Sequence, residues 1–132
     1  MTLMAQDRTL PAPPVYVDAA PFWAGAAEGR LMIRRCPSCG KAHWYPRPHC
    51  PLCGHGETDW EAASGRGTIY SVSVTRRVPV PYAVAYVTLE EGPTMLTNIV
   101  DCDLDGLKIG DAVSVTFKPA EDGQMVPMFR PA

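Results

Sequence analysis

Four cysteines in the first half of the chain have the spacing of a metal site. They occur in two copies of the motif Cys-Pro-x-Cys-Gly, with ten residues between Cys39 and Cys50. Two cysteines three positions apart on a tight turn can direct both sulfurs at one ion, and a second pair completes a tetrahedral set. Glycine after each second cysteine permits positive φ, which turns backbone N–H groups toward the sulfurs. The pattern predicts a zinc ribbon with the ligands Cys36, Cys39, Cys50 and Cys53.

Two other chemistries compete for these cysteines. A pair of disulfides would suit an oxidising compartment, but the chain does not begin with an export signal and the paired spacing favours metal. A single iron could occupy the same four-thiolate cage. Since four thiolates close the coordination shell and leave no open position, the predicted metal, one zinc per chain, is structural.

Three histidines and a fifth cysteine are further candidates for chemistry. His43, His49 and His55 lie within or beside the cluster, but four matched cysteines leave them unnecessary as ligands, so we interpret them as solvated or supporting residues. Cys102 stands alone between two aspartates, with no histidine near it in the sequence. It is therefore predicted to be an unreactive thiol.

Length and composition limit the machinery that this chain can hold. With 132 residues, 46% apolar and 20% charged, it allows one domain or two small modules and excludes a large multidomain enzyme. Fourteen prolines, about twice the usual share, argue against long helices. No apolar run reaches membrane-spanning length, and we expect a cytoplasmic protein without a membrane partner.

The charge is unevenly distributed. The formal net charge is -2, but residues 1–77 carry +3 and residues 78–132 carry -5. This asymmetry disfavours phosphate binding across the whole surface. The positive side chains nearest the cysteines could simply balance the excess negative charge of a zinc ion with four thiolates. They are Arg34, Arg35, Lys41 and Arg47.

Ahead of the cysteines, the sequence predicts an extended arm, a short helix and a strand. Residues 9–17 contain three prolines and no packing pattern of their own. Asp18 can serve as the N-cap of a helix of about three turns, with Pro21 in its first turn and Gly29 at its end. The strand is expected at Arg30–Arg35. The apolar residues on one side of the helix are Phe22, Trp23, Ala26 and Ala27.

From Gly65 onward, apolar and polar residues alternate with a period of two, which is typical of strands. Gly65 and Gly67 suggest a bend that lets the longest strand serve two sides of a barrel. Five short antiparallel strands favour a Greek-key barrel of OB type, with an SH3-like barrel or a small sandwich as alternatives. The strands are predicted at roughly Gly65–Arg77, Tyr82–Glu90, Thr94–Asp101, Asp111–Pro119 and Gln124–Arg130.

The order of these segments resembles the domain-of-unknown-function 35 family. The most specific features are the second knuckle, Pro-Arg-Pro-His-Cys-Pro-x-Cys-Gly at 46–54, and the strand that follows it, Ser-Gly-Arg-Gly-Thr-Ile-Tyr-Ser at 64–71. The resemblance extends from about Ala20 to Pro131. It implies a mainly β protein in which a short helix and a rubredoxin-like zinc ribbon, residues 18–62, join an OB-fold barrel, residues 63–132. Residues 1–17 would form the arm.

The resemblance also implies an accessory role in acyl-CoA metabolism. Members of the family partner with thiolase-like enzymes or with enoyl-CoA hydratases, so the OB-fold would contact the partner or acyl-CoA. The four cysteines match the family's metal ligands, and no catalytic residue carries over. The chain itself contains no nucleophile–base pair and no phosphate-binding glycine loop in its motifs, so we expect no enzymatic activity of its own. Phe22 and Trp23 would either anchor the partner or pack internally, and Arg76 or Arg77 could meet CoA phosphates.

Two other functions are weighed against this one. A ribbon joined to an OB-fold could bind single-stranded nucleic acid, but that needs a basic groove with stacking aromatics. The barrel half is acidic and its aromatics are sparse, so this alternative ranks second. Electron transfer through an iron site ranks last.

Overall fold

The computed structural model describes residues 2–132 as a short helix, a three-stranded ribbon and a closed five-stranded barrel. A 3-10 turn, Val17–Ala19, leads into helix α1, Ala20–Ala27. The ribbon strands are β1 (Met32–Arg35), β2 (Ala42–His43) and β3 (Asp59–Ala62). The barrel strands are β4 (Arg66–Thr75), β5 (Tyr82–Leu89), β6 (Thr94–Ile99), β7 (Ala112–Pro119) and β8 (Met125–Pro131). The predicted mainly β architecture is confirmed.

The barrel closes in the order β4-β5-β6-β8-β7, with β7 returning to β4. All its pairs are antiparallel except β6 with β8, a combination that identifies the OB-type Greek key and excludes the sandwich. Strand β4 pairs with β7 through Arg66–Thr68 and with β5 through Gly67–Thr75. The predicted double use of this strand is confirmed, and Gly67 is needed there because a Cβ would lie 2.7 Å from the Thr88 carbonyl oxygen.

Helix α1 differs from its prediction at both ends. Asp18 is not the N-cap, because it lies inside the 3-10 turn, and Ala19 takes that position without a side-chain cap. The helix has eight residues rather than about three turns. Ala27 is exposed, whereas Gly25 is buried against Met32. Gly29, with φ +78°, terminates the segment as expected.

One buried cluster connects the ribbon, the helix and the barrel. Phe22 from α1 and Ile33 from β1 belong to the same cluster as Ile69, Ile99 and Phe129 of the barrel. The ribbon therefore rests on the barrel through α1 and β1, while its four metal-site cysteines are not members of this cluster. Within residues 2–132, no helix is long and apolar enough to cross a membrane.

The N-terminal arm is extended, as predicted, but it lies against the barrel. The Leu3 N–H donates to Asp103 Oδ1 at 2.8 Å, and the Ala5 N–H donates to the Cys102 carbonyl oxygen at 2.8 Å. Leu10 is buried beside Ala120 and Met128. These contacts join positions about a hundred residues apart, which the composition of the arm could not reveal.

Candidate metal centre

The two cysteine knuckles have the same local structure. The Gly40 N–H donates to the Cys36 carbonyl oxygen at 2.9 Å, and the Gly54 N–H donates to the Cys50 carbonyl oxygen at 3.0 Å. Both glycines have positive φ, 75° and 81°, a conformation that a side chain would strain. The repeated motif thus folds into two equivalent tight turns, and the pairing of β1 with β2 and β3 holds them face to face.

The four sulfur atoms lie within 4.8 Å of one another. The Sγ atoms of Cys36 and Cys53 are 3.6 Å apart, and those of Cys39 and Cys50 are 3.8 Å apart. A tetrahedral ion with metal–sulfur bonds of about 2.3 Å needs sulfurs about 3.8 Å apart. All four are free thiols rather than disulfides, so the cluster fits a four-thiolate metal site.

Backbone donors surround this sulfur cluster. The N–H groups of Cys39 and Leu52 point at the sulfurs of Cys36 and Cys50, each at 3.4 Å. Burial opposes ionisation of Cys50, but the backbone N–H groups of Cys53 and Leu52, together with the thiols of Cys53 and Cys36, outweigh it and lower its pKa to about 7. Despite the backbone hydrogen bond from His55, burial and the three neighbouring thiols raise the pKa of Cys53 to about 11, so the proton shared within the cluster stays on Cys53. Such backbone donors favour thiolates, the form that binds a metal ion.

The neighbouring arginines are engaged away from the sulfurs. Arg34 donates to the Thr58 side chain and carbonyl oxygen at 2.5 and 2.6 Å, and its guanidinium lies over the Trp60 ring. Arg35 forms a bidentate pair with Glu61 at 2.9 Å. It also donates to the Gly40 carbonyl oxygen at 2.8 Å, which links strands β1 and β3 to the first knuckle. These arginines therefore brace the ribbon and make no hydrogen bond to a thiolate.

The three histidines have different environments, and none belongs to the sulfur cluster. His49 and His55 are exposed. His43 is buried, and its Nε2 accepts the Arg47 N–H at 3.2 Å. Burial, and then the charges of Arg34 and Arg47, lower the pKa of His43. His43 is thus a buried structural residue, a role that its position in a loop-rich segment did not reveal.

Other candidates for chemistry are unreactive or committed to structure. Cys102 is half-buried, and burial together with Asp103 and Asp101 raises its pKa, which makes it a poor nucleophile. Arg76 and Arg77 were predicted to end the strand Gly65–Arg77, but β4 ends before them at Thr75, and Arg76 pairs with Asp105.

The partner-anchor hypothesis for Phe22 and Trp23 is wrong. Phe22 is 1% exposed and Trp23 is 9% exposed. The Phe22 ring packs against the rings of Trp23, Trp44 and Tyr45, with centroids 5.0 to 5.9 Å apart. Both side chains are therefore part of the core that seats the ribbon on the barrel, as the alternative interpretation expected.

Comparison with known proteins matches both halves of the chain to one family. The family described as "ChsH2, rubredoxin-like zinc ribbon domain" matches residues 23–59, and "ChsH2, C-terminal OB-fold domain" matches residues 60–118. A "DUF35 domain-containing scaffold protein" from Methanothermobacter thermautotrophicus is 39% identical over 71% of this chain and 77% of that protein. A "Probable enoyl-CoA hydratase alpha subunit" from Thermomonospora curvata is 36% identical over 92% of this chain.

Solved structures agree with these sequence matches. A chain of the "Ltp2-ChsH2(DUF35) aldolase" superposes with a TM-score of 0.80 at 35% identity, covering 91% of this chain and 98% of that one. A DUF35 protein of unknown function from Sulfolobus solfataricus superposes with a TM-score of 0.66 at 11% identity, over 88% of this chain and 86% of that one, and shows the fold alone. This chain spans 40% of the Thermomonospora subunit's length.

Proposed function

Since the chain belongs to the DUF35 family of zinc-ribbon and OB-fold proteins, we propose that it is a non-catalytic accessory subunit, or scaffold, of an enzyme that acts on acyl-CoA substrates. The observation that carries the proposal is the match, at 35% identity and over 98% of its length, to a chain of a solved aldolase complex. Its partner would be thiolase-like or, as the named hydratase alpha subunits suggest, enoyl-CoA hydratase-like.

The chemistry of the chain supports an accessory role. The free cysteine outside the cluster has a raised pKa, and the buried histidine uses its Nε2 to accept a backbone N–H. Neither residue has the environment of an activated nucleophile or a general base. The catalytic groups would therefore belong to the partner, while this chain supplies binding surface and rigidity.

The proposal includes one structural Zn²⁺ per chain, held by Cys36, Cys39, Cys50 and Cys53. The sulfur separations and the aligned N–H groups support a closed tetrahedral site. When bound, the ion would hold the two knuckles together, because the apolar contacts at that end of the ribbon are too few to do so. Reduced thiols also suit the cytoplasmic location expected from the sequence.

Affinity purification of the tagged full-length protein from its native host, followed by identification of co-purifying proteins, tests the proposal. We expect a near-stoichiometric thiolase-like or enoyl-CoA hydratase-like subunit, and acyl-CoA turnover by the complex but not by this chain alone. Turnover by the isolated chain, or recovery of nucleic acid with no acyl-CoA enzyme, would contradict the proposal.

A further inference from the structure

The outer face of the barrel carries no charged side chain from Thr68 to Thr75 of β4 or along β5 and β6. Tyr86 of β5 lies directly opposite Leu96 of β6 and Ser71 of β4, and the residues two positions along each strand are also paired. Directly opposite residues point to the same side of a sheet. The alternate residues of β5 and β6 are buried and point into the barrel. We call the outward residues the charge-free face; they lie between Thr68 and Thr75 of β4, between Tyr82 and Thr88 of β5 and between Thr94 and Asn98 of β6, and are all Thr, Ser, Asn, Val, Tyr or Leu.

Three large apolar side chains lie at the centre of the charge-free face. A β-bulge between Ile69 and Ser71 adds Tyr70 to the outward side, next to Tyr86. Tyr70 is 67% exposed, Tyr86 is 46% exposed and Leu96 is 50% exposed. They form a row across three adjacent strands, whereas exposed apolar residues on a monomer's surface are usually scattered.

Charges appear only where the face ends. At one end Arg66 pairs with Glu90 at 2.9 Å. At the other end, Arg76 pairs with Asp105 beyond the last residue of β4, and the Arg8 guanidinium of the N-terminal arm lies 4.0 Å from the centroid of the Tyr82 ring. A centre without charge, containing tyrosines and leucine and bordered by polar pairs, is the arrangement of a protein–protein interface.

Nucleic acid does not fit this surface. In other OB-fold proteins the corresponding β-strands bind single-stranded nucleic acid. Such binding needs positively charged side chains along the phosphate backbone. The charge-free face has no positively charged side chain between its ends. The phosphates of a free CoA would lack a partner there for the same reason.

A second copy of this chain also fits poorly. Three strands about 4.8 Å apart, each with about three outward residues, give a patch of roughly 300 Å². Stable dimers bury about 800 Å² per partner. Two convex barrels touching at this patch could not extend the contact much, whereas a partner with a concave surface could cover the face and its borders.

We propose that the charge-free face is the docking surface for the partner acyl-CoA enzyme, which meets it with an uncharged, concave, apolar surface. The inference rests on the proposed function and assigns its interface. Tyr86 and Leu96 form the centre of the contact, and Tyr70 extends it along β4.

The test titrates the acyl-CoA enzyme subunit identified by affinity purification against purified variants of this chain. Leu96→Glu and Tyr86→Glu put a charge at the centre of the face, and Tyr70→Ser with Tyr86→Ser removes both rings without adding charge. Val17→Glu is the matched control, because Val17 is 87% exposed and lies in the 3-10 turn away from these strands. Each variant is first checked for an unchanged melting temperature and metal content.

We expect each variant of the face to weaken binding at least about tenfold, while Val17→Glu binds like the wild type. If folded variants of the face bind the subunit with wild-type affinity, the docking surface is wrong and the proposed function stands. If the wild-type protein binds no acyl-CoA enzyme, both the docking surface and the proposed function are wrong. A loss of self-association by Leu96→Glu in light scattering, or of binding to a mixed single-stranded DNA, would instead assign the face to a second copy or to nucleic acid and overturn the inference.

Discussion

At the residue scale, the assignment of the four cysteines as metal ligands can be tested by replacing them one at a time. Replacing Cys39 with Ser removes one of the four sulfurs from a cluster whose members lie within 4.8 Å. We expect the variant to lose the proposed zinc and to melt at a lower temperature, because a bound ion would contribute most of the folding free energy of that end of the ribbon. Elemental analysis and thermal unfolding measure the two effects.

The matched control for this prediction is Cys102→Ser. Cys102 lies outside the cluster beside the N-terminal arm, so the variant should keep one zinc per chain. Retention of zinc by Cys39→Ser would contradict the proposed ligand set, and iron in the wild type would contradict the proposed metal.

His43 gives a pH dependence with a definite sign. Its Nε2 accepts a backbone N–H, and burial lowers its pKa, so the folded protein resists protonation of a residue that the unfolded chain protonates near pH 6.5. Since the unfolded state binds more protons below that pH, the free energy of unfolding falls as the pH is lowered. We expect it to fall further in the wild type than in His43→Gln between pH 7.5 and 5.5.

Denaturant titrations at the two pH values measure this difference. Protonation of the cysteines also changes the free energy of unfolding, but it does so equally in both proteins and therefore does not affect the difference between them. His49→Gln is the control, since His49 is exposed and should leave the wild-type pH dependence intact. An equal pH dependence in the wild type and His43→Gln would show that the imidazole is protonated in the folded state.

At the element scale, the sequence predicts well wherever one short-range pattern determines the structure. The five barrel strands were located to within two residues at each end by their period of two. The sequence patterns do not predict strands β2 and β3, which have two and four residues. They form because β1 pairs with both of them, and a pairing between separate segments is not visible in the pattern of either segment alone.

Helix α1 shows what an amphipathic pattern leaves undetermined. The sequence placed Phe22 and Trp23 on an apolar side but could not say whether that side meets a partner or the protein's own core. In the structure Phe22 is buried among three other aromatic rings. Phe22→Ala should therefore lower the free energy of unfolding by about 3 to 5 kcal/mol, because it leaves a cavity where the ribbon joins the barrel.

Chemical denaturation compares this variant with Tyr16→Ala, whose side chain is 64% exposed and whose loss should change stability by less than about 0.5 kcal/mol. A stable Phe22→Ala protein that no longer binds the partner would reinstate Phe22 as an interface anchor.

At the scale of the whole molecule, the least predictable feature is how the N-terminal arm contacts the barrel. The arm reaches the barrel through hydrogen bonds between Leu3 and Asp103 and between Glu121 and Leu10. Neither contact can be predicted from the local sequence, because each joins two segments that come together only in the folded protein. The match to the Thermomonospora subunit covers 92% of the chain and must therefore extend into the arm, beyond the resemblance recognised from the motifs.

The division of the chain into a ribbon, residues 18–62, and a barrel, residues 63–132, stays a prediction that metal removal can test. The backbone N–H groups of the ribbon are protected from exchange by a sheet whose strands have only two or four residues, beside the cysteine cluster. The barrel, in contrast, has a closed set of strand pairs and its own buried side chains. Chelation of the zinc should therefore speed hydrogen exchange in β1–β3 and leave β4–β8 protected. Mass spectrometry of exchanged peptides, with and without added zinc, measures both segments in one sample. Loss of protection in the barrel together with the ribbon would mean that the shared cluster around Phe22 makes the chain a single cooperative unit.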